Sequence, residues 1–237
     1  MKKNNLTPLL VTLFVGIFMQ TNTHDKKTYE TATFAGGCFW CMQPPFEHRN
    51  GVKSVVVGYA NGYGSPVTYE NYAKNGYVEA VQISFDPSTI SYAVLLDIFW
   101  RQFDPTDAGG QFNDRGPQYR SAIFYHSEQQ KQHAEESKKK LSQSGVFKKP
   151  IVTEITQFTN FFAAEEYHQQ YHDKNPIRYT TYRFLSGRDS FLNKIWSKKT
   201  DPPGNQLLPE AFRYTTAKST HATPISSHST KRYGAAF

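Results

Sequence analysis

Two cysteines, Cys38 and Cys41, have the residue type and the spacing for sulfur redox chemistry, and they are the only cysteines in this chain of 237 residues. Gly36 and Gly37 come directly before them and permit a sharp turn with a close approach of the backbone. A thiol placed where a strand turns into a helix faces unpaired backbone N–H groups and the positive end of the helix dipole, which both favour thiolate. Because thiolate is the nucleophilic form, and because Cys41 lies near enough to trap an oxidised Cys38, the pattern predicts a redox-active pair.

The residues on either side predict the turn that would hold Cys38. Tyr29–Ala35 is rich in β-formers and predicts a strand. Met42–His48 predicts a helix, because Pro44 and Pro45 would fall in its first turn, where a missing N–H costs little. Cys38 is therefore the candidate nucleophile, and the alternative is a buried cysteine that serves only as a small apolar side chain.

Further candidates for the same chemistry lie between the cysteines and in or beside two long loops, 60–78 and 104–119. Loops this long inside a compact domain are usually functional. Removing oxygen from an oxidised sulfur compound needs a proton donor for the oxygen and phenolic hydroxyls to stabilise it. The candidates are Glu79, Tyr69, Tyr119 and Asp114, with Phe39 and Trp40 as walls of a small apolar pocket beside the sulfur. Each also has a plain structural interpretation: a solvated acid, an aspartate that starts a turn, or an aromatic side chain packed in the core.

A second interpretation of the cysteines is a zinc site. His168 and His172 lie four positions apart in a predicted helix, Ala163–Lys174, and would add two imidazoles to the two thiolates. The long stretch of chain between the two pairs is unlike the spacing of a zinc finger, so the redox interpretation is favoured.

The order of the predicted elements indicates an α+β domain. Through residue 125 the order is strand, helix, strand, strand, helix, strand, which is the pattern of a ferredoxin-like two-layer α/β sandwich. Long functional loops interrupt this pattern, and coil extensions flank it. The predicted strands are Tyr29–Ala35, Lys53–Tyr59, Glu79–Phe85, Arg120–Tyr125 and Ile151–Phe158. The predicted helices, besides Met42–His48, are Ser91–Phe103, Ser127–Ser142, Ala163–Lys174 and Arg188–Lys198.

Both ends of the chain differ from the middle in composition. Residues 1–27 begin with a basic stretch followed by an apolar one shorter than a typical membrane span, which predicts a signal peptide or an N-terminal anchor and an exported, periplasmic or extracytoplasmic protein. Residues 28–199 form the predicted catalytic domain, and residues 200–237 form a predicted disordered, basic tail rich in Ser, Thr and Pro. The net charge of +7 belongs almost entirely to the two ends, so a nucleic-acid surface on the domain is not expected.

These residues together resemble the peptide methionine sulfoxide reductase A family from about Thr31 to Trp196, which is nearly the whole folded part. The family's defining motif is matched by Gly37-Cys38-Phe39-Trp40. Further segments match in the same order: Gly58-Tyr59, Pro66 to Tyr69, Gly76 to Val81, Phe85-Asp86-Pro87, Phe99-Trp100, Asn113 to Ser121, His168 to Tyr171, and Lys174-Asn175-Pro176.

The resemblance implies a role for each candidate residue. Cys38 is the thiolate that attacks the sulfur of the S epimer of methionine sulfoxide and becomes a sulfenic acid. Glu79 gives the sulfoxide oxygen a proton, for which it needs a raised pKa in a dry pocket. The remaining roles are hydrogen-bond donation to that oxygen by Tyr69 and Tyr119, reception of the substrate's terminal methyl group by Phe39 and Trp40, and a further polar group, Asp114.

The chain departs from many members of the family, which have resolving cysteines near the C-terminus. It has none there, so Cys41 is the only internal candidate, and we predict a Cys38–Cys41 disulfide that a thioredoxin-like partner reduces. The implied reductant is an external thiol, such as dithiothreitol in vitro, with no prosthetic cofactor and no metal. Gln43 stands where relatives with a similar cysteine pair often have Glu. Three arginines replace the Gly/Cys-rich ending of other members: Arg178, Arg183 and Arg188. Their plain structural interpretation is that they are surface residues of the last helix.

Two other functions remain open from the sequence. A thiol–disulfide oxidoreductase that acts on protein disulfides would share the cysteine pair but would not need Glu79 or the two tyrosines. A zinc-stabilised binding module would need both thiols as ligands. For the reductase, the expected partners are oxidised proteins or peptides that carry methionine sulfoxide and a thioredoxin-like electron donor, and the protein is expected to be a monomer that binds no nucleic acid.

Overall fold

The structure, a computed structural model, describes residues 28–196. The predicted signal peptide or anchor at 1–27 and the predicted tail at 200–237 lie outside the described residues. Within the described range, no helix is both long enough and apolar enough to cross a membrane.

Eight strands lie within the described residues and form two sheets. In chain order they are β1 Glu30–Gly36, β2 Val52–Ala60, β3 Val78–Phe85, β4 Gly110–Gln111, β5 Asp114–Arg115, β6 Ser121–Tyr125, β7 Glu154–Gln157 and β8 Phe161–Ala163. β4 and β5 form a small two-stranded sheet, and the other six form one sheet in the order β7-β6-β1-β3-β2-β8. Its neighbouring strands are antiparallel except β6 and β7, which are parallel, so the large sheet is mixed.

The two middle strands of the large sheet, β1 and β3, carry the most buried side chains. Phe34 on β1 lies opposite Val81 on β3 and Ile123 on β6, and all three are fully buried. Because β1 and β3 each have hydrogen-bonded neighbours on both sides, their ends are held firmly. Cys38 follows the end of β1, and Glu79 lies in the second position of β3.

Six helices accompany the sheets in the described part of the chain. They are α1 Phe39–Met42, α2 Tyr92–Trp100, α3 Glu128–Gln143, α4 Tyr171–Lys174, α5 Pro176–Leu185 and α6 Arg188–Trp196, with a single 3-10 turn at Pro117–Tyr119. Serine side chains cap the N-termini of α2 and α3. The Ser91 hydroxyl accepts a hydrogen bond from the Val94 N–H at 3.3 Å, and the Ser127 hydroxyl accepts one from the Gln130 N–H at 3.2 Å. Both satisfy a backbone donor that the first turn leaves without a partner.

The core lies between the large sheet and α2 and is strongly aromatic. Phe34 stacks on Phe99 of α2 with ring centroids 4.9 Å apart, and on Phe46 at 5.8 Å. Phe99 also packs on Phe103 at 4.6 Å. All four rings are fully buried, so this cluster fixes α2 against β1 and the segment that follows the cysteines.

The structure confirms the five predicted strands, although the last is shortened to β7, and it confirms the helices predicted at Ser91–Phe103 and Ser127–Ser142. The helix predicted at Arg188–Lys198 is confirmed over its described part. The helix predicted at Met42–His48 is wrong, because α1 begins at Phe39, ends at Met42 and continues as turns.

The helix predicted at Ala163–Lys174 is also wrong. Ala163 ends β8, turns follow it, and only Tyr171–Lys174 is helical. The reason is Gln169, whose amide side chain bonds both backbone groups of Val57, accepting from its N–H at 3.0 Å and donating to its carbonyl at 2.8 Å. The Gln169 side chain thus takes the place of a neighbouring strand beside β2, and these two bonds hold the backbone at Gln169 in a turn instead of a helix.

Candidate active site

Cys38 occupies a tight turn between β1 and α1 and is almost completely buried. Its carbonyl oxygen accepts hydrogen bonds from the N–H groups of Cys41 at 3.0 Å and Met42 at 3.3 Å, which closes the turn. Gly37, just before it, has φ of +84°, and a Cβ there would lie 2.5 Å from the Cβ of Gln111. The glycine is therefore required both by backbone conformation and by space.

Glu79 lies beside this turn and is the buried acid of the site. One carboxyl oxygen accepts a hydrogen bond from the Phe39 N–H at 2.9 Å, and the other accepts one from the Tyr72 hydroxyl at 2.9 Å. Burial nevertheless raises the pKa of Glu79 to about 8, because removal of water penalises the charged form more than the two hydrogen bonds favour it. A carboxyl group with this pKa is mostly protonated at neutral pH.

The charge state predicted for Cys38 is wrong for the substrate-free site. The Phe39 N–H at the start of α1 bonds Glu79 and is not free to stabilise a thiolate, and α1 is a single turn with little dipole. Burial, and then the hydrogen bond with Cys41, raise the pKa of the Cys38 thiol well above its usual value. Cys38 therefore holds its proton until a substrate arrives.

Phenolic side chains surround the acid. Tyr119 comes from the 3-10 turn, and its hydroxyl and that of Tyr72 are hydrogen-bonded to each other. The Tyr69 ring stacks on Tyr72 with centroids 5.7 Å apart, and its backbone N–H donates to Glu165 at 3.0 Å. Burial and the nearby Glu79 raise the pKa of Tyr69 to about 12, and they raise the pKa of Tyr72 and Tyr119 as well. All three remain neutral hydrogen-bond donors.

The two aromatic residues after Cys38 have different environments. Phe39 is fully buried, with its ring 5.0 Å from the His168 ring and 6.1 Å from the Tyr59 ring. Trp40 is only partly buried and stacks on Tyr171 with centroids 3.8 Å apart and planes 7° from parallel. Its indole N–H donates to His168 Nδ1 at 3.1 Å, so the orientation of the ring is fixed.

Asp114 approaches the cysteines from β5. Its carboxylate accepts a short hydrogen bond from the Tyr182 hydroxyl, and burial raises its pKa. The Tyr182 hydroxyl also lies near enough to the two cysteines to interact with them, so this tyrosine of α5 stands between Asp114 and the cysteine turn.

Cys41 lies below Cys38 and is fully buried, and both cysteines are free thiols in this structure. The hydrogen bond from Cys38 lowers the pKa of Cys41, and the guanidinium groups of Arg188 and Arg183 lower it further. Of the two thiols, Cys41 is therefore the one whose surroundings favour ionisation. Gln43, the residue that replaces an expected Glu, bonds only backbone groups, donating to the Val55 carbonyl and accepting from the Gln170 N–H.

The geometry gives no support to the zinc interpretation. His168 accepts the indole hydrogen bond of Trp40, and His172 lies 3.1 Å from the carboxylate of Glu47. Among residues 28–196, no three His, Cys, Asp or Glu side chains are grouped so that they could hold a metal ion.

The structure gathers all of the predicted site residues around one turn and adds four that the sequence did not single out for this site: Tyr72, Glu165, His168 and Tyr182. Glu165 accepts hydrogen bonds from the Tyr59 hydroxyl at 2.7 Å and from the Tyr69 backbone. The one available signal was the proximity of Tyr72 to Tyr69 in the sequence. Tyr182 had none, because only tertiary packing brings α5 to Cys38.

Comparison with known proteins decides the family. The family described as Peptide methionine sulfoxide reductase matches residues 30–200. The chain belongs to the peptide methionine sulfoxide reductase A family. The peptide methionine sulfoxide reductase MsrA of Bacillus licheniformis is 55% identical over 174 residues, which cover 73% of this chain and 96% of the relative.

Two solved structures of the family share the fold. Reduced Mxr1 from Saccharomyces cerevisiae superposes with a TM-score of 0.59 at 34% identity, covering 66% of this chain and 91% of its own. Methionine sulfoxide reductase A of Corynebacterium diphtheriae superposes with a TM-score of 0.55 at 32% identity, covering 62% of this chain and 76% of its own. The α+β class predicted from the sequence is thereby confirmed.

Proposed function

We propose that this protein reduces the S epimer of methionine sulfoxide, in proteins and peptides and as the free amino acid, and so repairs oxidative damage. The observation that carries the proposal is the position of Glu79, a buried acid with a pKa of about 8 that is hydrogen-bonded to the first N–H after the nucleophile Cys38. A sulfoxide whose sulfur contacts Cys38 has its oxygen within reach of this proton and of the phenolic hydroxyls.

The first step transfers the oxygen from substrate to enzyme. The Cys38 sulfur attacks the sulfoxide sulfur while Glu79 protonates the oxygen, and the proton that Cys38 gives up restores Glu79. The substrate's sulfur–oxygen bond and the bond between the two sulfurs then break as the oxygen passes to Cys38, which becomes a sulfenic acid. Methionine leaves, and the Cys38 sulfur gives up the two electrons that the substrate sulfur gains. Tyr69 and Tyr119 stabilise the oxygen during transfer, with Tyr72 holding the Glu79 carboxyl group.

The substrate's methyl group occupies the apolar side of the site. Phe39 and Trp40 flank the sulfur of Cys38, and the stacking of Trp40 on Tyr171 keeps the indole in place. Asp114, held by Tyr182, adds a polar group to the site. A pocket with one apolar wall and one group of hydrogen-bond donors can distinguish the two sulfoxide epimers.

The second step forms a disulfide. The Cys41 sulfur attacks the sulfenic sulfur of Cys38, the sulfur–oxygen bond breaks, and the departing hydroxide takes a proton to become water. A thioredoxin-like dithiol then reduces the disulfide. Electrons arrive from this external thiol, so the cycle requires no prosthetic group.

The decisive experiment uses resolved S and R epimers of methionine sulfoxide in a short peptide, with dithiothreitol as reductant. We expect the wild-type chain to convert the S epimer and leave the R epimer, and the Cys38→Ser protein to convert neither. An inactive wild-type chain, or an active Cys38→Ser protein, disproves the proposal.

A separate experiment tests the resolving role of Cys41. The Cys41→Ser protein should keep its single turnover of substrate, accumulate sulfenic acid that dimedone traps, and lose most of its turnover with thioredoxin. Peptide mass spectrometry of the oxidised wild-type chain should show the Cys38–Cys41 disulfide. Unchanged thioredoxin-dependent turnover in the variant would exclude this role.

The ferredoxin-like sandwich, the monomeric state and the export of the protein belong to the same proposal. The antiparallel order β6-β1-β3-β2 supports the sandwich, and the basic and apolar start of the sequence supports export. Light scattering of the purified chain tests the monomer. Fractionation of cells that make the full chain tests its place outside the cytoplasm.

A further inference from the structure

The three arginines near the end of the described chain have three different environments. Arg178 is exposed on α5. Arg183 is partly buried, and its guanidinium group lies 2.7 Å from the Asp189 carboxylate. Arg188, the first residue of α6, is 1% exposed and ranks among the largest fully buried side chains of the described chain. Only Arg188 therefore has its charge removed from water.

The Arg188 guanidinium group lies under the turn that carries the cysteines. Its Nη1 donates to the Gln102 carbonyl at 2.5 Å and to the Gly36 carbonyl at 3.4 Å, and its Nη2 lies 3.5 Å from the same Gly36 oxygen. A Cβ built on Gly37 would lie 3.0 Å from Nη2. The group also covers the face of the Phe112 ring, with its central carbon 4.8 Å from the ring centroid.

This buried cation has no carboxylate partner. None of the ion pairs among residues 28–196 includes Arg188, and its Nε has no hydrogen-bond partner. Removing a guanidinium charge from water is costly unless an anion compensates it, and neutral carbonyl oxygens compensate only in part. A negative charge on a neighbouring group of the site would compensate Arg188, and the groups on which Arg188 acts include the Asp114 carboxyl group and the Cys41 thiol.

We propose that Arg188 is a positioning residue that holds Cys41 as a thiolate, ready to attack oxidised Cys38. The groups that face the thiol pair from the surrounding elements are Glu79, Asp114, Tyr179, Tyr182, Arg183 and Arg188. Glu79 and Asp114 disfavour a second negative charge, and the two tyrosines are neutral. Both arginines act on Cys41, but Arg183 has Asp189 as its ion-pair partner, whereas Arg188 has no such partner among residues 28–196, so its charge is the less compensated of the two.

The inference rests on the proposed resolving role of Cys41, and it explains why Cys41 would be reactive enough for that role. In the step it promotes, the Cys41 thiolate forms a bond to the sulfenic sulfur of Cys38, and the sulfur–oxygen bond breaks. Cys41 is oxidised, Cys38 is reduced, and the hydroxide that leaves takes its proton from Glu79. A neutral Cys41 thiol would be a far weaker nucleophile for this attack.

The test titrates the thiols of the reduced full chain through their ultraviolet thiolate absorbance. Loss of the charge in Arg188→Met should raise the lower thiol pKa by about 1–3 units, and Arg188→Lys should restore most of the difference. Arg178→Met, which removes an exposed arginine of α5, is the matched control and should leave the titration unchanged. At neutral pH, disulfide formation after a single turnover should slow about two- to sixfold in Arg188→Met, because the loss of thiolate outweighs its higher intrinsic nucleophilicity, while sulfenic acid formation continues.

An unchanged thiol titration in a folded Arg188→Met protein overturns the inference and leaves Arg188 as a structural brace. If circular dichroism shows that this variant does not fold, the Cys38→Ser protein decides. There Cys41 is the single thiol, and with Arg188 intact it should titrate below the ordinary value of about 8.5, whereas titration at or above that value overturns the inference. An inactive wild-type chain would defeat the proposed function and would leave these titrations to decide the role of Arg188.

Discussion

The protons and charges of the free site are divided among three side chains. Glu79 keeps its proton because burial outweighs its two hydrogen bonds, and Cys38 keeps its proton because it is buried and bonded to Cys41. The pKa of Cys41 is lowered by the hydrogen bond from Cys38 and by two nearby arginines. A site arranged in this way holds an acid ready for the substrate oxygen before the nucleophile is ionised.

The acid function of Glu79 predicts a specific pH dependence. The protonated form is the active one, so the single-turnover rate of S-sulfoxide reduction should fall as pH rises through about 8. Glu79→Gln cannot give up a proton, and we expect a rate about 10²–10⁴-fold lower with no fall of this origin. Rapid-mixing measurements over a pH series check both, with Glu128→Gln on exposed α3 as the control. A fully active Glu79→Gln protein would instead favour a thiol–disulfide oxidoreductase.

A second prediction concerns the hydroxyl group of Tyr182. Tyr182→Phe removes the hydrogen bond to Asp114 but keeps the ring that lies edge-on to Trp40. A hydrogen bond to a charged group contributes about 1.5–3 kcal/mol, so kcat/KM for the S epimer should fall at least about tenfold. Tyr63→Phe, at an exposed tyrosine, should have no effect. Equal kcat/KM values in the two variants would show that the Tyr182 hydroxyl has no part in the reaction.

At the scale of elements, the strands were predictable because β-branched and aromatic residues dominate them, and α2 and α3 because a serine cap precedes each. The cysteine turn was predictable from its glycines. The path of residues 164–170 was not, because the Gln169 side chain replaces a strand neighbour at Val57, which no local pattern encodes. The phenolic residues Tyr69 and Tyr119 were predicted because they lie in the two long loops. Tyr182 lies on α5, for which no helix was predicted from the sequence.

The N-terminal cap of α3 allows the stability of the fold to be tested separately from activity. Ser127→Ala leaves the Gln130 N–H without its hydroxyl acceptor, and the free energy of unfolding should fall by about 1 kcal/mol. Activity should not change, because Ser127 begins α3, which packs on α2, β6 and β7 and supplies none of the site residues. Urea denaturation measures the loss, and Ser142→Ala, inside the same helix, is the control that should cost nothing. A similar loss in both variants would show that the cap contributes little.

For the whole molecule, the buried acid links stability to pH. The folded protein holds the Glu79 proton up to pH about 8, whereas an unfolded glutamate releases it near 4.5, so folding is favoured at low pH and this contribution is lost as pH rises to about 8. Glu79→Gln has no such proton. Its free energy of unfolding relative to wild type should therefore grow by about 1.4 kcal/mol per pH unit across that window and then level off.

Urea denaturation of both proteins over a pH series measures this difference, and other titrating groups cancel in it. Glu128→Gln, which lies on the surface of α3, should show a flat difference. A flat difference for Glu79→Gln as well would mean that Glu79 is ionised in the folded state.

The cation beneath the cysteine turn also has a consequence for biosynthesis. Arg188 contacts Gly36 across 152 positions of sequence, and the chain is made from its N-terminus. The two sulfurs therefore leave the ribosome long before their counter-ion is translated. A nascent chain presents them with ordinary reactivity, and the molecule acquires its chemistry only when almost the entire domain has emerged.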